Sequence, residues 1–345
     1  MKLNIVCPKL QGTGGTETVL VDVINRLTTE YEVNLLLSNY PKESAWLKKL
    51  PNNMSVSYPR NSTKYCRLFF FLRNFLFASN EEVFIVLGAN LLRFASKIRS
   101  FTHKKYRIIS WIHFSLVNQD MFNPKNLLYA DEHLAISGQI KKQLLDLGVS
   151  SDKIHLVYNP IKKGEIIKEI YFDNSTHIIY IGRILFDGQK NLKELFDAVA
   201  KVKTSIYIDI YGVGEDEEKC QMYVKSLGIE NIVKWHGWKK NVWNEIKVRP
   251  HALVLTSKFE GLPMVMLEAM AHGIPCITTR FEGYEDILNE GVNGFSYESG
   301  DVDTLVEIFN ELKHVIFNPH EIQDSISQCY ADKYYHNLLK ILHRY

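Results

Sequence analysis

The sequence predicts an α/β protein with two doubly wound parallel sheets. Short apolar runs of strand length alternate with amphipathic stretches of helical length, and this rhythm restarts near the middle of the chain. Because the predicted strands are apolar on both faces, helices are expected to cover each sheet on two sides. The chain has 345 residues. That length is enough for about two domains of ~100–200 residues each.

The first domain is predicted at residues 1–160. It opens with a strand over Lys2–Cys7, a turn-rich stretch and an amphipathic helix over Glu17–Leu27. Three more buried strands follow, with helical stretches between them, at Glu32–Ser38, Val83–Gly88 and Arg107–Ile112.

The second domain is predicted at residues 161–321, after a connector at 159–168. Five apolar runs indicate strands, at His177–Gly182, Ser205–Tyr211, Ile232–His236, Ala252–Thr256 and Pro275–Thr278. Three stretches with helical periodicity lie between them, at Asn191–Val202, Glu215–Leu227 and Pro263–His272.

Composition excludes several classes of protein. No apolar run reaches the ~18–20 residues that a membrane-spanning helix needs. The N-terminal residues MKLNIVCP do not have the pattern of a secretory signal, so a cytoplasmic location is expected. Five scattered cysteines form no CxxC pair, which argues against a disulfide framework and a zinc site.

Positive charge is concentrated in the first half of the chain. Residues 1–160 carry a net charge of +8, and the remainder carries −6. The segment 55–107 alone holds ten basic residues and two acidic ones. This pattern predicts an anionic partner, for which we expect the inner face of a membrane and not nucleic acid. Four phenylalanines could enter such a surface or belong to the core, and both interpretations stay open: Phe69, Phe70, Phe71 and Phe75.

The stretch SKFEGLPMVMLEAMAHG, residues 257–273, predicts a phosphate site at a helix N-terminus. Pro263 occupies the position favoured for a first helical residue. The backbone N–H groups of Met264 and Val265 then have no partner inside the helix. Such groups attract phosphate.

Two carboxylates flank this predicted N-terminus. Glu260 precedes the helix and Glu268 lies one to two turns inside it, so they can address different parts of one extended anionic ligand. The alternative interpretation is a capping acid and a solvated helix acid.

A second motif, GRILFDGQKN at residues 182–191, follows the first strand of the second domain. Arg183 and Lys190 could neutralise a diphosphate there, and the guanidinium can bind it in bidentate geometry. Surface charge is the alternative, and for Lys190 alone it is the favoured one.

Glycines at positions 12, 14 and 15 lie where the first strand meets the first helix, so a ligand could approach the backbone closely. A dinucleotide site is disfavoured because the second strand ends in Leu37-Ser38-Asn39, without the acidic residue that binds ribose.

The E-x7-E pattern within EGLPMVMLEAMAHGIPCI, together with the GR…KN element, resembles the signature of the family 4 retaining glycosyltransferases. Further segments resemble the lipopolysaccharide 1,6-galactosyltransferases within that family: SWIHFS at 110–115, YADEHLAIS at 129–137, VYNP at 157–160 and WHGW at 235–238. The resemblance implies a GT-B fold, with Rossmann-like domains facing a central cleft. The first domain would bind the acceptor and the second the nucleotide-sugar donor, and a C-terminal helix at 322–345 would return to the first domain.

The resemblance also implies roles for individual residues. Glu260 and His113 would contact the donor sugar. The alternative for His113 is a buried core residue whose ring nitrogens are hydrogen-bonded within the protein. Glu268 would contact the ribose, and Arg183 and Lys190 the leaving diphosphate. The remaining donor contacts are assigned to Gly14, Gly15, Gly261, Leu262, Pro263, Met264 and Val265.

The activity implied is retaining transfer of a hexose, galactose favoured, from a UDP-sugar to a glycan or glycolipid acceptor such as growing lipopolysaccharide. A GT-B sugar-nucleotide epimerase or phosphorylase and a noncatalytic nucleotide-sugar-binding subunit are the alternatives. Front-face displacement needs no protein nucleophile, so catalysis would consist of positioning and charge stabilisation. No cofactor and no metal are expected, and transfer should survive chelation.

Overall fold

The computed structural model describes residues 1–10, 15–113, 116 and 122–343. The chain divides into two compact units. One comprises residues 1–160 and 332–345, and the other comprises residues 161–331.

The first unit is built on a seven-stranded sheet in the order β3-β2-β1-β4-β5-β6-β7, with every neighbouring pair parallel. Its strands are β1 Lys2–Cys7, β2 Glu32–Leu37, β3 Ser55–Ser57, β4 Val83–Val86, β5 Arg107–Ile112, β6 Glu132–Ala135 and β7 Ile154–Leu156. The first four helices are α1 Gly15–Leu27, α2 Lys64–Leu76, α3 Ala89–Thr102 and α4 Gly138–Asp146. The central strands β1, β4 and β5 are almost wholly buried, as expected for a sheet covered on both faces.

The second unit holds a six-stranded parallel sheet in the order β10-β9-β8-β11-β12-β13. Its strands are β8 Thr176–Ile181, β9 Ile206–Tyr211, β10 Val233–Gly237, β11 Ala252–Leu255, β12 Cys276–Thr279 and β13 Gly294–Tyr297. Its helices are α5 Leu192–Lys201, α6 Glu217–Ser226, α7 Met264–Ala271, α8 Val302–Glu311 and α9 Pro319–Ser325. In both units the sheet reverses its strand order beside its first strand, and ligands bind α/β sheets at such a switch point, outside the carboxyl ends of the strands.

The single C-terminal helix predicted from residue 322 is wrong in its bounds. The structure has α9 there, and a separate helix α10 over Ala331–Leu342. The residues before α10 stay with the second unit because Ile322 is fully buried and Gln323 donates to the carbonyl of Gly164 at 2.8 Å.

Arg107 of β5 fixes the C-terminal end of helix α10 within the first unit. Arg107 Nη1 donates to the carbonyl of Leu342 at 3.1 Å, and Arg107 Nη2 pairs with Glu132 Oε1 at 2.6 Å. The guanidinium thereby satisfies carbonyl groups that the end of a helix leaves without a partner.

Candidate active site

The loops after β8 and β9 pack backbone against backbone at the carboxyl edge of the second sheet. A Cβ on Gly212, whose φ is +141°, would lie 1.8 Å from the carbonyl oxygen of Gly182. A Cβ on Gly214 would lie 2.0 Å from the carbonyl oxygen of Ile184. Only glycine fits at these two positions, so their main role is to hold the loop that carries Arg183.

Arg183 is presented to solvent at the start of this loop. Its carbonyl accepts a hydrogen bond from the hydroxyl of Tyr180 at 2.8 Å, which fixes the turn after β8. The side chain is exposed, and within the part of the chain that the structure describes no carboxylate pairs with it. The guanidinium is therefore available to an anion.

Lys190 and Glu260, which are 70 positions apart in the sequence, form an ion pair. Lys190 Nζ lies 2.6 Å from Glu260 Oε1, and the side chains are only 14% and 10% exposed. They meet because β8 and β11, the strands that precede their loops, are neighbours in the sheet. The cation predicted to bind the diphosphate and the carboxylate predicted to bind the sugar thus form one charge-compensated unit.

The backbone around Lys190 is fixed by neighbouring side chains. Thr256 Oγ1 donates to the carbonyl groups of Lys190 and Asn191, at 3.0 Å in each case. Asn191 has the left-handed φ of 49°, and its amide donates to Glu194 Oε2 at 2.6 Å. The lysine is therefore held in place by its surroundings as well as by its ion pair.

Helix α7 begins at Met264, one residue later than predicted, because Pro263 has an extended backbone with ψ of 97° and acts as the N-cap. Among the described residues, the N–H groups of Met264 and Val265 have no backbone acceptor, whereas the N–H of Met266 already donates to the carbonyl of Pro263. Leu262 and Pro263 are buried and Gly261 is half-buried, so this turn rests on the unit's core. The helix therefore offers two free N–H donors.

Glu268 lies in the second turn of α7 and is half-buried. Burial raises the pKa of its carboxyl group, while a hydrogen bond from Trp243 Nε1, 3.0 Å from Glu268 Oε2, opposes that rise. Sequence reasoning missed Trp243, which lies in a short 3-10 turn after β10.

Three of the predicted site residues, His113, Gly14 and Gly15, belong to the first unit. His113 directly follows β5, and its Nε2 is buried without a hydrogen-bond partner among the described residues. Burial lowers the pKa of His113 to about 3, so the imidazole is neutral near pH 7. Gly15 is the exposed first residue of α1, whereas Gly12 and Gly14 lie outside the described residues.

Potential metal ligands are dispersed. In the part of the chain that the structure describes, no three His, Cys, Asp or Glu side chains form a group that could hold a metal ion. Arg183 and Lys190 contribute positive charge at the carboxyl edge of the second sheet, and α7 adds its two N–H groups.

Known proteins are similar to this chain in sequence and in fold. Residues 163–316 match the family described as Glycosyl transferases group 1. The chain is 33% identical to the lipopolysaccharide 1,6-galactosyltransferase of Salmonella typhimurium, over 97% of this chain and 95% of that protein. The chain belongs to this family of galactosyltransferases. Solved structures agree: the lipopolysaccharide outer core galactosyltransferase WaaB in its apo form has a TM-score of 0.86 and 33% identity, covering 99% of this chain and 98% of WaaB.

The fold is GT-B, and the two units are its Rossmann-like domains. The fold extends to more distant proteins, since Anabaena HepE in complex with UDP-glucose has a TM-score of 0.78 at 16% identity and 99% coverage of both chains. Membership of this family identifies the protein as a glycosyltransferase, so the epimerase and noncatalytic alternatives are set aside.

Proposed function

We propose that the chain transfers a hexose, galactose first, from a UDP-sugar to growing lipopolysaccharide or a related surface glycan, with retention of configuration. One observation carries the proposal. Considering the described residues alone, the carboxyl edge of the second sheet combines an unpaired guanidinium, a lysine–glutamate pair and the free N–H groups of α7. The names of the relatives supply the hexose and the acceptor.

Arg183 and the N–H groups of Met264 and Val265 are proposed to bind the diphosphate. These donors are in place before charge develops on the leaving group, and such preorganised donors stabilise a transition state most effectively. Lys190 would share its ammonium group between Glu260 and the diphosphate. No metal is needed in this proposal because the protein's own donors compensate the leaving charge.

Glu260 is proposed to act at the sugar, and Glu268 at the ribose. In a retaining front-face displacement the C1–O bond to the diphosphate breaks as the acceptor hydroxyl attacks the same face of the sugar. The leaving diphosphate oxygen takes the hydroxyl proton. Positive charge develops on the ring at that moment, and the carboxylate of Glu260 would stabilise it. His113 is proposed to contact the donor sugar through its neutral imidazole.

Donor specificity is tested by thermal unfolding with a panel of nucleotide sugars. UDP, UDP-galactose and UDP-glucose should raise the unfolding temperature, because a ligand at ~100 times its Kd stabilises the folded state by ~2.7 kcal/mol. GDP-mannose and CMP-sialic acid serve as controls and should have little effect. Stabilisation by the GDP- or CMP-sugar alone would contradict the proposal.

We also propose that the first unit binds the anionic inner face of the cell membrane through helix α2. The helix has no acidic residue, and apolar side chains lie on its exposed side. Tyr65 is 82% exposed and Phe69 is 68% exposed, and Phe77 directly after the helix is 77% exposed. No helix among the described residues is long and apolar enough to cross a membrane.

The aromatic residues of this segment differ in exposure. Phe71 and Phe75 are buried, so of the two interpretations left open the core one holds for these two rings. Phe69 is exposed and Phe70 is half-buried. Buried and exposed rings lie on opposite sides because a helix turns through 100° per residue.

The exposed apolar positions of α2 follow helical spacing and form one stripe, made of Tyr65, Leu68, Phe69, Leu72 and Leu76. Three basic residues accompany it, Lys64, Arg67 and Arg73. Within the described residues no carboxylate forms an ion pair with these three, so their charge is available to anionic lipid. Each basic residue near such a surface contributes ~1 kcal/mol.

Vesicle binding tests the proposed interaction with an anionic membrane surface. The protein should sediment with vesicles of phosphatidylglycerol and phosphatidylcholine, and less so as salt increases. The double substitution Phe69→Ser and Phe77→Ser should weaken binding at least about tenfold, since each buried aromatic contributes ~1.5–3 kcal/mol. Phe172→Ser, at a residue of the second unit that is 90% exposed, is the matched control. Vesicle binding that does not depend on anionic lipid or on salt would contradict the proposal. Binding that the double substitution leaves unchanged would contradict it as well.

A further inference from the structure

Trp243 contacts Glu268 of α7 and His272, the C-cap residue one turn further along. Its Nε1 donates to Glu268 Oε2 at 3.0 Å. Its ring stacks on the imidazole of His272, with ring centroids 5.0 Å apart and planes inclined by 26°. Because residues four apart lie on the same face of a helix, one indole spans both.

The indole is held in this position from its far side as well. His272 Nδ1 is hydrogen-bonded to the carbonyl of Glu165 at 2.8 Å. A Cβ on Gly164 would lie 2.6 Å from His272 Cε1, so the connector lies directly on the imidazole. The imidazole is thus fixed by the connector, and the indole is fixed by the imidazole.

The hydrogen bond restricts what Glu268 can present to a ligand. An indole N–H is a donor only, so the oxygen facing it must act as an acceptor. Oε2 is engaged by Trp243, whereas Oε1 makes no hydrogen bond to any residue that the structure describes and can accept one from a ligand. A carboxylate oxygen held in one direction loses little conformational freedom when a ligand hydroxyl binds it.

We propose that Trp243 is a positioning residue for recognition of the nucleotide ribose: it orients the carboxylate of Glu268 toward the 2′ and 3′ hydroxyls. This inference rests on the proposed function, in which Glu268 contacts the ribose. Trp243 would act through Glu268 and would not itself contact the donor.

The test compares UDP with 2′,3′-dideoxy-UDP, measured by calorimetry on the full chain. Trp243→Phe removes the N–H donor and keeps a ring to stack on His272. It should weaken UDP roughly tenfold and leave the dideoxy analogue unchanged, because only UDP uses the ribose hydroxyls. The KM for UDP-galactose should rise with little change in kcat. A merely structural role would weaken both ligands together.

Two further variants separate this inference from the proposed function. Trp235→Phe, on β10 and against Phe196, is the matched control and should retain wild-type discrimination. The double variant Trp243→Phe with Glu268→Ala should be no weaker than Glu268→Ala alone, because both act through one carboxylate. If Glu268→Ala abolishes discrimination but Trp243→Phe does not reduce it, the inference fails alone. If Glu268→Ala leaves discrimination intact, the ribose role of Glu268 fails, and the inference with it.

Discussion

Glu260→Ala is expected to lower the turnover number by ~10²–10³-fold, the scale of losing one group that stabilises transition-state charge. The affinity for UDP should stay near wild type or rise a few fold. The reason is the ion pair, in which Lys190 Nζ lies 2.6 Å from Glu260 Oε1. Removing the Glu260 carboxylate releases the ammonium group of Lys190 to the diphosphate. Steady-state kinetics with UDP-galactose, together with calorimetry of UDP, measure the two quantities separately.

Glu307→Ala is the matched control for this substitution because it removes an exposed carboxylate of α8 in the same unit. It should leave both turnover and UDP affinity at wild-type values. A Glu260→Ala enzyme with wild-type turnover would show that this carboxylate does not act at the sugar. UDP binding weakened as strongly as in Glu268→Ala would lead to the same conclusion.

Glu268→Ala is expected to weaken UDP and UDP-galactose alike, by ~1.5–3 kcal/mol, the range for hydrogen bonds to a charged group. At saturating donor the turnover number should change little, because ribose contacts exist in both the ground state and the transition state. Calorimetry with UDP and with uridine provides the measurement.

Inorganic pyrophosphate is the internal control for Glu268→Ala. In the proposed site its affinity would depend on Arg183 and the N–H groups of α7, and it should remain that of the wild type. Uridine carries the ribose without the phosphates and should lose affinity as UDP does. Equal loss for pyrophosphate and uridine would indicate a general collapse of the site instead of a missing ribose contact.

Much of the fold could be predicted from the sequence because buried parallel strands are continuous apolar runs. The strand at Arg107–Ile112 was predicted with its observed bounds. The short strands β3 and β7, of three residues each, are too brief and too polar to give such a signal. The end of the chain was predicted as one helix because the sequence alone does not show that Ile322 is a core residue of the second unit.

The contacts of the candidate site were harder to predict than its residues. Lys190 and Glu260 follow the first and fourth strands of the second unit, which are neighbours in the observed sheet. Opposite charges after two such strands are therefore a signal that sequence reasoning could have used. Trp243 gives no comparable signal because it lies in an irregular turn, and only the folded chain brings it to Glu268.

Helix α2 shows a different limit. Its periodicity indicates that Phe71 and Phe75 share a face, but periodicity does not indicate which face packs on the sheet. The structure places Phe75 beside Phe84 and Tyr106, stacks Phe71 against Phe75, and leaves Phe69 outside. When a helix carries apolar residues on both sides, only the packed structure shows which side is buried.

In the proposed mechanism the protein's own cations and N–H donors support hexose transfer from a UDP-sugar without a metal. The most direct measurement follows labelled galactose from UDP-galactose into lipopolysaccharide from a strain without its own 1,6-galactosyltransferase, with EDTA in excess. We expect transfer to continue, and the anomeric configuration of the product, determined by NMR, to match that of the donor. Loss of transfer that Mn²⁺ or Mg²⁺ restores would show that a metal is required, and an inverted product would rule out the retaining mechanism.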